Sequence, residues 1–400
     1  MKPCRRTVSV AAVLALWVTV ASAVRADEGA ESAKGPNRYV VTTLTADLPG
    51  IAPNTDPVLQ NAWGVAFTPG ASPFWIADNA TGCSTLYDGS GVPQPQPTPL
   101  KVKLPLPGGT IPDAACQPAD PENPPTPAPA TPTGLVWNPS ATFLVPKTSS
   151  PATFIFATED GTIAAWAGGL TPPDQAVLAV DNSSSGAVYK GLVVGTNVHG
   201  VFLFATNFHA GTIDVFAPAP ASMGTGTGFR PATSTEIDGD FTDPHLPAGF
   251  APFGIQNING DLFVTYAKQS EDKRDDVAGP GHGFVTVFST DGHLLRRFAS
   301  RGPLNSPWGV VRASLAFGRF SGALLIGNFG NGHINAFNTE GDFLGPLRDG
   351  QGKPLVIDGL WALTLGGGRN SSPDALYFTA GPNDETHGVF GTITPASQSE

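Results

Sequence analysis

The feature that most constrains this 400-residue chain is a repeat. An apolar strand opened by a bulky or polar residue and a Gly recurs as Trp63-Gly64-Val65, Thr133-Gly134-Leu135, Lys190-Gly191-Leu192, Phe253-Gly254-Ile255 and Trp308-Gly309-Val310. Trp361-Ala362-Leu363 is a degenerate sixth copy, and successive copies stand 53 to 70 residues apart. After each comes an apolar strand, a short polar loop, and a further strand ending in an aromatic. Phe154-Ile155-Phe156-Ala157 leads through Gly161 to Trp166, and Leu203-Phe204-Ala205-Thr206 through Gly211 to Phe216. Alternation with period two marks strands, and Gly-rich joints mark turns. A less regular fourth run often follows, such as Leu294 to Ala299 after the Asp291-Gly292 turn. Six units of four strands predict an all-β chain, a six-bladed β-propeller spanning residues 38–395. A β-sandwich would leave six ordered copies unexplained.

Ring closure is legible as well. The sixth unit supplies only three strands before Ile393, whereas Tyr39-Val40-Val41-Thr42-Thr43-Leu44 alternates like a strand ahead of the first unit. It is expected to become the outer strand of the last blade and so remove an exposed edge. Residues 91–132 form a Pro-rich insertion in the first unit, and residues 268–282 form a charged flap in the fourth. Composition agrees with this reading. With 48 Gly, 40 Pro and 14% charged residues, the chain is unsuited to helical bundles or coiled coils. Its net charge of −11, without a basic patch, argues against a nucleic-acid partner.

Lys2, Arg5 and Arg6 precede an apolar stretch from Val8 to Val20 and then small residues, the pattern of a secretory signal peptide over residues 1–26. Cleavage fits after Ala23 or after Ala26. Cleavage after Ala26 removes Lys2, Arg5, Arg6 and Arg25, and no acid, and takes the charge from −11 to −15. A secreted or periplasmic, monomeric protein is expected, without membrane insertion after cleavage. Residues 396–400 form a short tail. Cys4 leaves with the signal, so Cys83 and Cys116 are expected to form one disulfide, the alternative being two free thiols. Cys83 follows a loop between the second and third strands of the first unit. Cys116 lies in the loop to the next unit, on the same face, where a bridge is geometrically possible.

The unit resembles the NHL and gluconolactonase-like group of six-bladed propellers. The longer segments Phe156-Ala157-Thr158-Glu159-Asp160-Gly161-Thr162-Ile163, Asn207-Phe208-His209-Ala210-Gly211-Thr212-Ile213-Asp214-Val215-Phe216, Phe250-Ala251-Pro252-Phe253-Gly254-Ile255-Gln256-Asn257-Ile258 and Gly381-Pro382-Asn383-Asp384-Glu385 are similar to a family of secreted, mainly bacterial proteins. Some of that family end in a PEP-CTERM sorting tail. This chain ends in Ala396-Ser397-Gln398-Ser399-Glu400, without an apolar tail. The resemblance implies the fold and an exported address, and no catalytic residues. Gluconolactonase-like propellers hold a divalent metal through an acid at the start of an inner strand. The matching positions here are Trp63, Thr133, Lys190, Phe253, Trp308 and Trp361, with no acid among them.

Chemistry is expected where the loops between second and third strands emerge together on one face. Ligand candidates there are Asp78, Asn79, Glu159, Asp160, Lys190, Asn207, His209, Asn383, Asp384, Glu385 and His387. Asp78-Asn79 and the stretch Asn328 to Asn331 also read as turn formers. Glu159, Asp160, His209, Asp384 and His387 have the chemistry to hold a divalent metal such as Ca or Zn, although their spacing matches no standard site. In the flap, Asp272, Asp275 and Asp276 offer oxygens without the EF-hand spacing, and the segment also reads as a lid. Trp63, Trp137, Trp166, Trp308 and Trp361 are expected to pack between blades. Two functions stay open. One is a non-catalytic exported protein that binds a small molecule, glycan, peptide or partner protein. The other is a metal-dependent hydrolase or lyase with its site at the axis.

Overall fold

The computed structural model describes residues 35–396 except 71, 121 and 221–227. The signal segment with Cys4, and all but the first residue of the 396–400 tail, lie outside the described residues. Six antiparallel sheets follow one another in chain order. Their inner strands are Ala62–Ala66, Pro132–Trp137, Tyr189–Asn197, Phe250–Ile258, Pro307–Arg312 and Leu360–Leu365. Each leads outward through the later strands of its blade, ending in blades one to five with Lys101–Lys103, Val177–Asp181, Arg230–Pro231, Leu294–Ser300 and Phe343–Pro346. In blade six the outer position is taken by Tyr39–Ala46, antiparallel to Val389–Pro395, and Asn54–Thr55 adds a short parallel fifth strand. Tyr39 anchors this closure. Its buried ring stacks on Phe317 at 4.9 Å, and its hydroxyl donates to the Phe317 carbonyl at 3.1 Å.

Each blade has neighbours on both sides, so the second strands are apolar on both faces. In Phe154–Thr158, Phe154 and Phe156 pack with Trp75 and Ala77 of blade one, whereas Ile155 and Ala157 pack with Leu203 and Ala205 of blade three. The period of two thus assigns each side chain to one seam.

The repeated Gly has a specific cause. In every blade the pairing between inner and second strands shifts register near this position, from Ala62/Val65 in blade one to Leu360/Leu363 in blade six. Such a bulge turns the inner backbone toward the axis and the next blade. A Cβ at Gly134 would lie 2.5 Å from the Leu192 amide nitrogen, and one at Gly309 would lie 2.7 Å from the Trp361 carbonyl oxygen. Neighbouring inner strands therefore touch backbone to backbone, which a side chain would forbid. Second-strand threonines satisfy amides at the bulge: Gly254 donates to Thr265 Oγ1 at 2.8 Å, and Ala362 to Thr379 Oγ1 at 3.1 Å.

Cys83 and Cys116 are bridged, with Cα atoms 5.0 Å apart and a sequence separation of 33. The bond pins the Pro-rich insertion to the third strand of blade one. Among the described residues no helix is long and apolar enough to cross a membrane. Down the axis runs a channel of about 60 Å³ lined by inner-strand residues such as Val65, Leu135 and Leu192, and it continues into a wider mouth of about 300 Å³ where the inner strands end.

Candidate functional site

At the other end, where the inner strands begin, the channel is sealed by rings. Trp63, Phe253, Trp308 and Trp361 come from four of the six leading positions, and Phe208 and Phe329 from two second-to-third-strand loops. Trp63 stacks on Trp361 with centroids 3.5 Å apart, Phe329 stacks on Trp361 at 4.0 Å, and Trp308 meets Trp361 edge-on at 6.0 Å. The tryptophans at 63, 308 and 361 therefore do not pack between blades as expected. Their leading positions converge on the axis, and convergence places the rings against one another. Trp166 does lie in a seam, against Trp75, while Trp137 lines the opposite mouth.

Lys190 occupies a fifth leading position and is only 2% exposed. Its ammonium is ion-paired to Glu159 and lies 5.1 Å from the centre of the Trp63 ring and 5.9 Å from that of Phe208. Around the pair runs a chain of polar side chains contributed by blades one, four and six. Asn79 Nδ2 donates to Glu159 Oε2 at 3.1 Å. Asn61 Nδ2 donates to Asn79 Oδ1 at 3.2 Å and to Glu385 Oε2 at 2.6 Å, and Trp361 Nε1 donates to Asn61 Oδ1 at 3.0 Å. From the flap of blade four, Asp275 stands 3.5 Å from Lys190 and Arg274 stands 4.0 Å from Glu159.

Burial works to raise the Glu159 carboxyl, but Lys190, Asn79 and Arg274 outweigh it and hold the group below the usual range. Glu385 goes the other way. Burial, reinforced by the charges of Glu159 and Asp275 against the Asn61 bond, pushes it up to about 7. Asp276 beside the cluster is also raised, chiefly by burial. Two carboxyls tied into one polar chain are thus driven apart, one ionised and one poised near neutrality. The turn that presents Glu385 is strained. Asn383, Asp384 and Glu385 have successive φ values of 56°, 52° and 64°, a left-handed run rare outside glycine.

Over 368 residues the chain is 30% identical to the uncharacterized protein R648 of Acanthamoeba polyphaga mimivirus, an alignment covering 90% of this chain and 82% of that protein. It belongs to the R648 family. A second mimivirus protein, L690, is 29% identical over 368 residues, covering 90% of this chain and 87% of its own length. No protein-family profile matches the chain. These relatives of the R648 family member are viral, not the secreted bacterial proteins that its motifs resemble. Solved structures similar to it include a gluconolactonase of Xanthomonas campestris, with TM-score 0.45 and 14% identity over 85% of this chain and 88% of that one. A streptogramin B lyase has TM-score 0.46 and 12% identity over 90% and 98% of the two chains.

Of the residues singled out by sequence, this R648 relative brings Asn79, Glu159, Lys190 and Glu385 together. The remainder lie outside this cluster. Asp160 accepts from the Thr131 amide and hydroxyl at 2.8 and 3.0 Å. Asn207 caps its own turn and donates to Asp214. His209 is half-buried beside Gly186, and its carbonyl accepts from Gln269. Asn383 donates to Thr386, and Asp384 is exposed. His387 bonds Asp47 at 2.8 Å, next to the closing strand. Asp78 is fully buried on the seam between blades one and six, its carboxyl raised well above the usual range by burial. The five-residue metal set of Glu159, Asp160, His209, Asp384 and His387 is therefore not assembled. Among the described residues no group of three or more His, Cys, Asp or Glu side chains is placed to hold a metal ion. Asp272 bonds Ser270 and stays out of the cluster. Asn61 and Arg274 carry no sequence signal of their own. Asn61 precedes an inner strand in a left-handed conformation, at φ 47°, and Arg274 is one charge in a mixed run.

Proposed function

We propose that this chain is an exported binding propeller whose ligand is a hydroxyl-rich small molecule of the sugar class, held at the axis over the Glu159–Lys190 pair. The observation that carries the reading is an aromatic floor rimmed by aligned donors and acceptors. Trp308 and Phe329 are half-buried rings at this face, and Asn61, Asn79, Glu159, Lys190 and Glu385 are joined around it. Such a floor suits the apolar face of a sugar ring, and the rim suits its hydroxyls. A buried ion pair is weak evidence for stability, because desolvation offsets its attraction. Its place at the one point shared by all blades favours a role in recognition. The flap supplies the lid. The side chains of Arg274 and Asp275 are 43% and 67% exposed, so they leave the pair at little cost. The signal-like segment at residues 1–26 and the disulfide support export. The alternative, a metal-dependent hydrolase or lyase, lacks an assembled ligand set among the described residues.

The test is titration calorimetry of the chain with a panel of neutral and acidic monosaccharides and with triglycine. The expected result is saturable binding of at least one sugar, weakened tenfold or more by Asn79→Ala and by Trp308→Ala. Binding of triglycine alone, of nothing in the panel, or of a sugar that ignores both substitutions overturns the reading.

A further inference from the structure

The opposite face carries a second hollow, independent of the polar cluster. The axial channel opens there into a mouth of about 300 Å³, whose walls include Phe67, Leu135, Trp137 and Val194, with Gln256 and Thr364 as polar side chains. None of its lining residues is Asp, Glu, Lys, Arg or His. Gln256 and Thr364 also line the narrower 60 Å³ section above, so they mark the waist between the two. Beyond the waist the channel ends at Trp308, which belongs to the ring plug. The hollow is thus a blind, uncharged funnel.

A space of this size suits a small ligand. One water takes about 30 Å³ of liquid and needs two to four polar partners to be held well. Gln256 and Thr364 are the polar side chains and backbone groups of the strand ends add further polar surface, so water stays with those groups while an apolar body covers Phe67 and Trp137. Phe67 and Trp137 are only half-buried, so each still has ring surface for a visitor to cover. A charged molecule would lose its hydration without gaining a counter-charge.

We propose that this mouth is a second binding site, for an uncharged molecule with one ring or a short alkyl body and a hydrogen-bonding group directed at Gln256 and Thr364. The body fills the mouth, and the polar group points up the axis. A protein segment is disfavoured, because the walls are the ends of inner strands recessed at the centre of the ring.

Three probes sharing one ring test the assignment by titration calorimetry on the full chain: benzyl alcohol, benzoate and benzylammonium. Benzyl alcohol is expected to bind saturably with a negative heat-capacity change, and the two ions at least tenfold more weakly. Val194→Trp fills the mouth and Thr364→Glu charges its waist, and each is expected to weaken benzyl alcohol tenfold or more. Glu122→Gln, exposed in the Pro-rich insertion, leaves it unchanged. Thermal melts by circular dichroism confirm that each variant is folded. If Val194→Trp does not fold, Thr364→Glu, at a half-buried position, decides alone. Absence of saturable heat, equal binding of the three probes, or a dissociation constant unmoved in the folded variants overturns the proposal.

Discussion

The ammonium of Lys190 lies 5.1 Å from the centre of the Trp63 ring. Blade three thereby sets its cation over the aromatic side chain that blade one sets at the same axis, and Glu159 of blade two supplies the counter-charge. Cation–π attraction grows as water is removed, and here both partners are almost wholly buried.

Lys190→Met leaves the Glu159 carboxylate buried without its main partner. The expected cost is about 3–5 kcal/mol, read as a lower urea midpoint, because an unpaired buried charge is expensive. Lys190→Met with Glu159→Gln is expected to recover most of that loss. Equal stability of the single variant and the parent would show that Glu159 does not carry its charge in the fold.

Glu385 makes stability fall as pH rises. Its folded pKa of about 7 lies above its ordinary 4.5, so between these values the folded chain binds more protons than the unfolded one. The contribution is fully present below about 4.5, is lost through the window to about 7, and is flat above. Glu385→Gln is expected to remove this component. The difference in urea midpoint between parent and variant should therefore change between pH 5 and pH 8, with the variant relatively more stable at pH 8. A constant difference across that range would refute the assignment.

Gly134→Ala and Gly168→Ala form a matched pair. Neither position has a positive φ, but a Cβ at Gly134 meets the Leu192 backbone, whereas one at Gly168 meets nothing within 4 Å. The first is expected to cost about 1–3 kcal/mol or more by overpacking, and the second close to nothing. Similar denaturation curves for the two variants would contradict the backbone contact between blades.

Deletion of residues 38–46 bares the edge of Val389–Pro395 and removes the Tyr39 anchor. Several kcal/mol of lost burial should lower the melting temperature by about 10 °C or more. Calorimetry that finds the deletion melting with the parent would mean that the outer strand does not close the ring.

The fold was legible because its signals are local and repeated. The bulky-residue–Gly pair, the polar loop and the strand ahead of Trp63 each lie within a few residues. Even Cys83 and Cys116 could be matched, since loop position within a blade fixes the face. The site was half legible. Lys190 and Glu159 could be placed on one face, but not joined, because their meeting depends on how blades two and three are rotated about the axis. The bond of His387 to Asp47 was not legible, because that partner is 340 residues away and arrives only when the ring closes. The tryptophans were assigned to seams because strand periodicity describes two faces and says nothing of the hub.

Tyr39 pairs with Pro395 at one end of the closing ladder. The chain therefore enters the ring at Tyr39 and leaves it at Pro395 on the same outer rim, beside blade six, and neither crossing takes up room on the two broad faces.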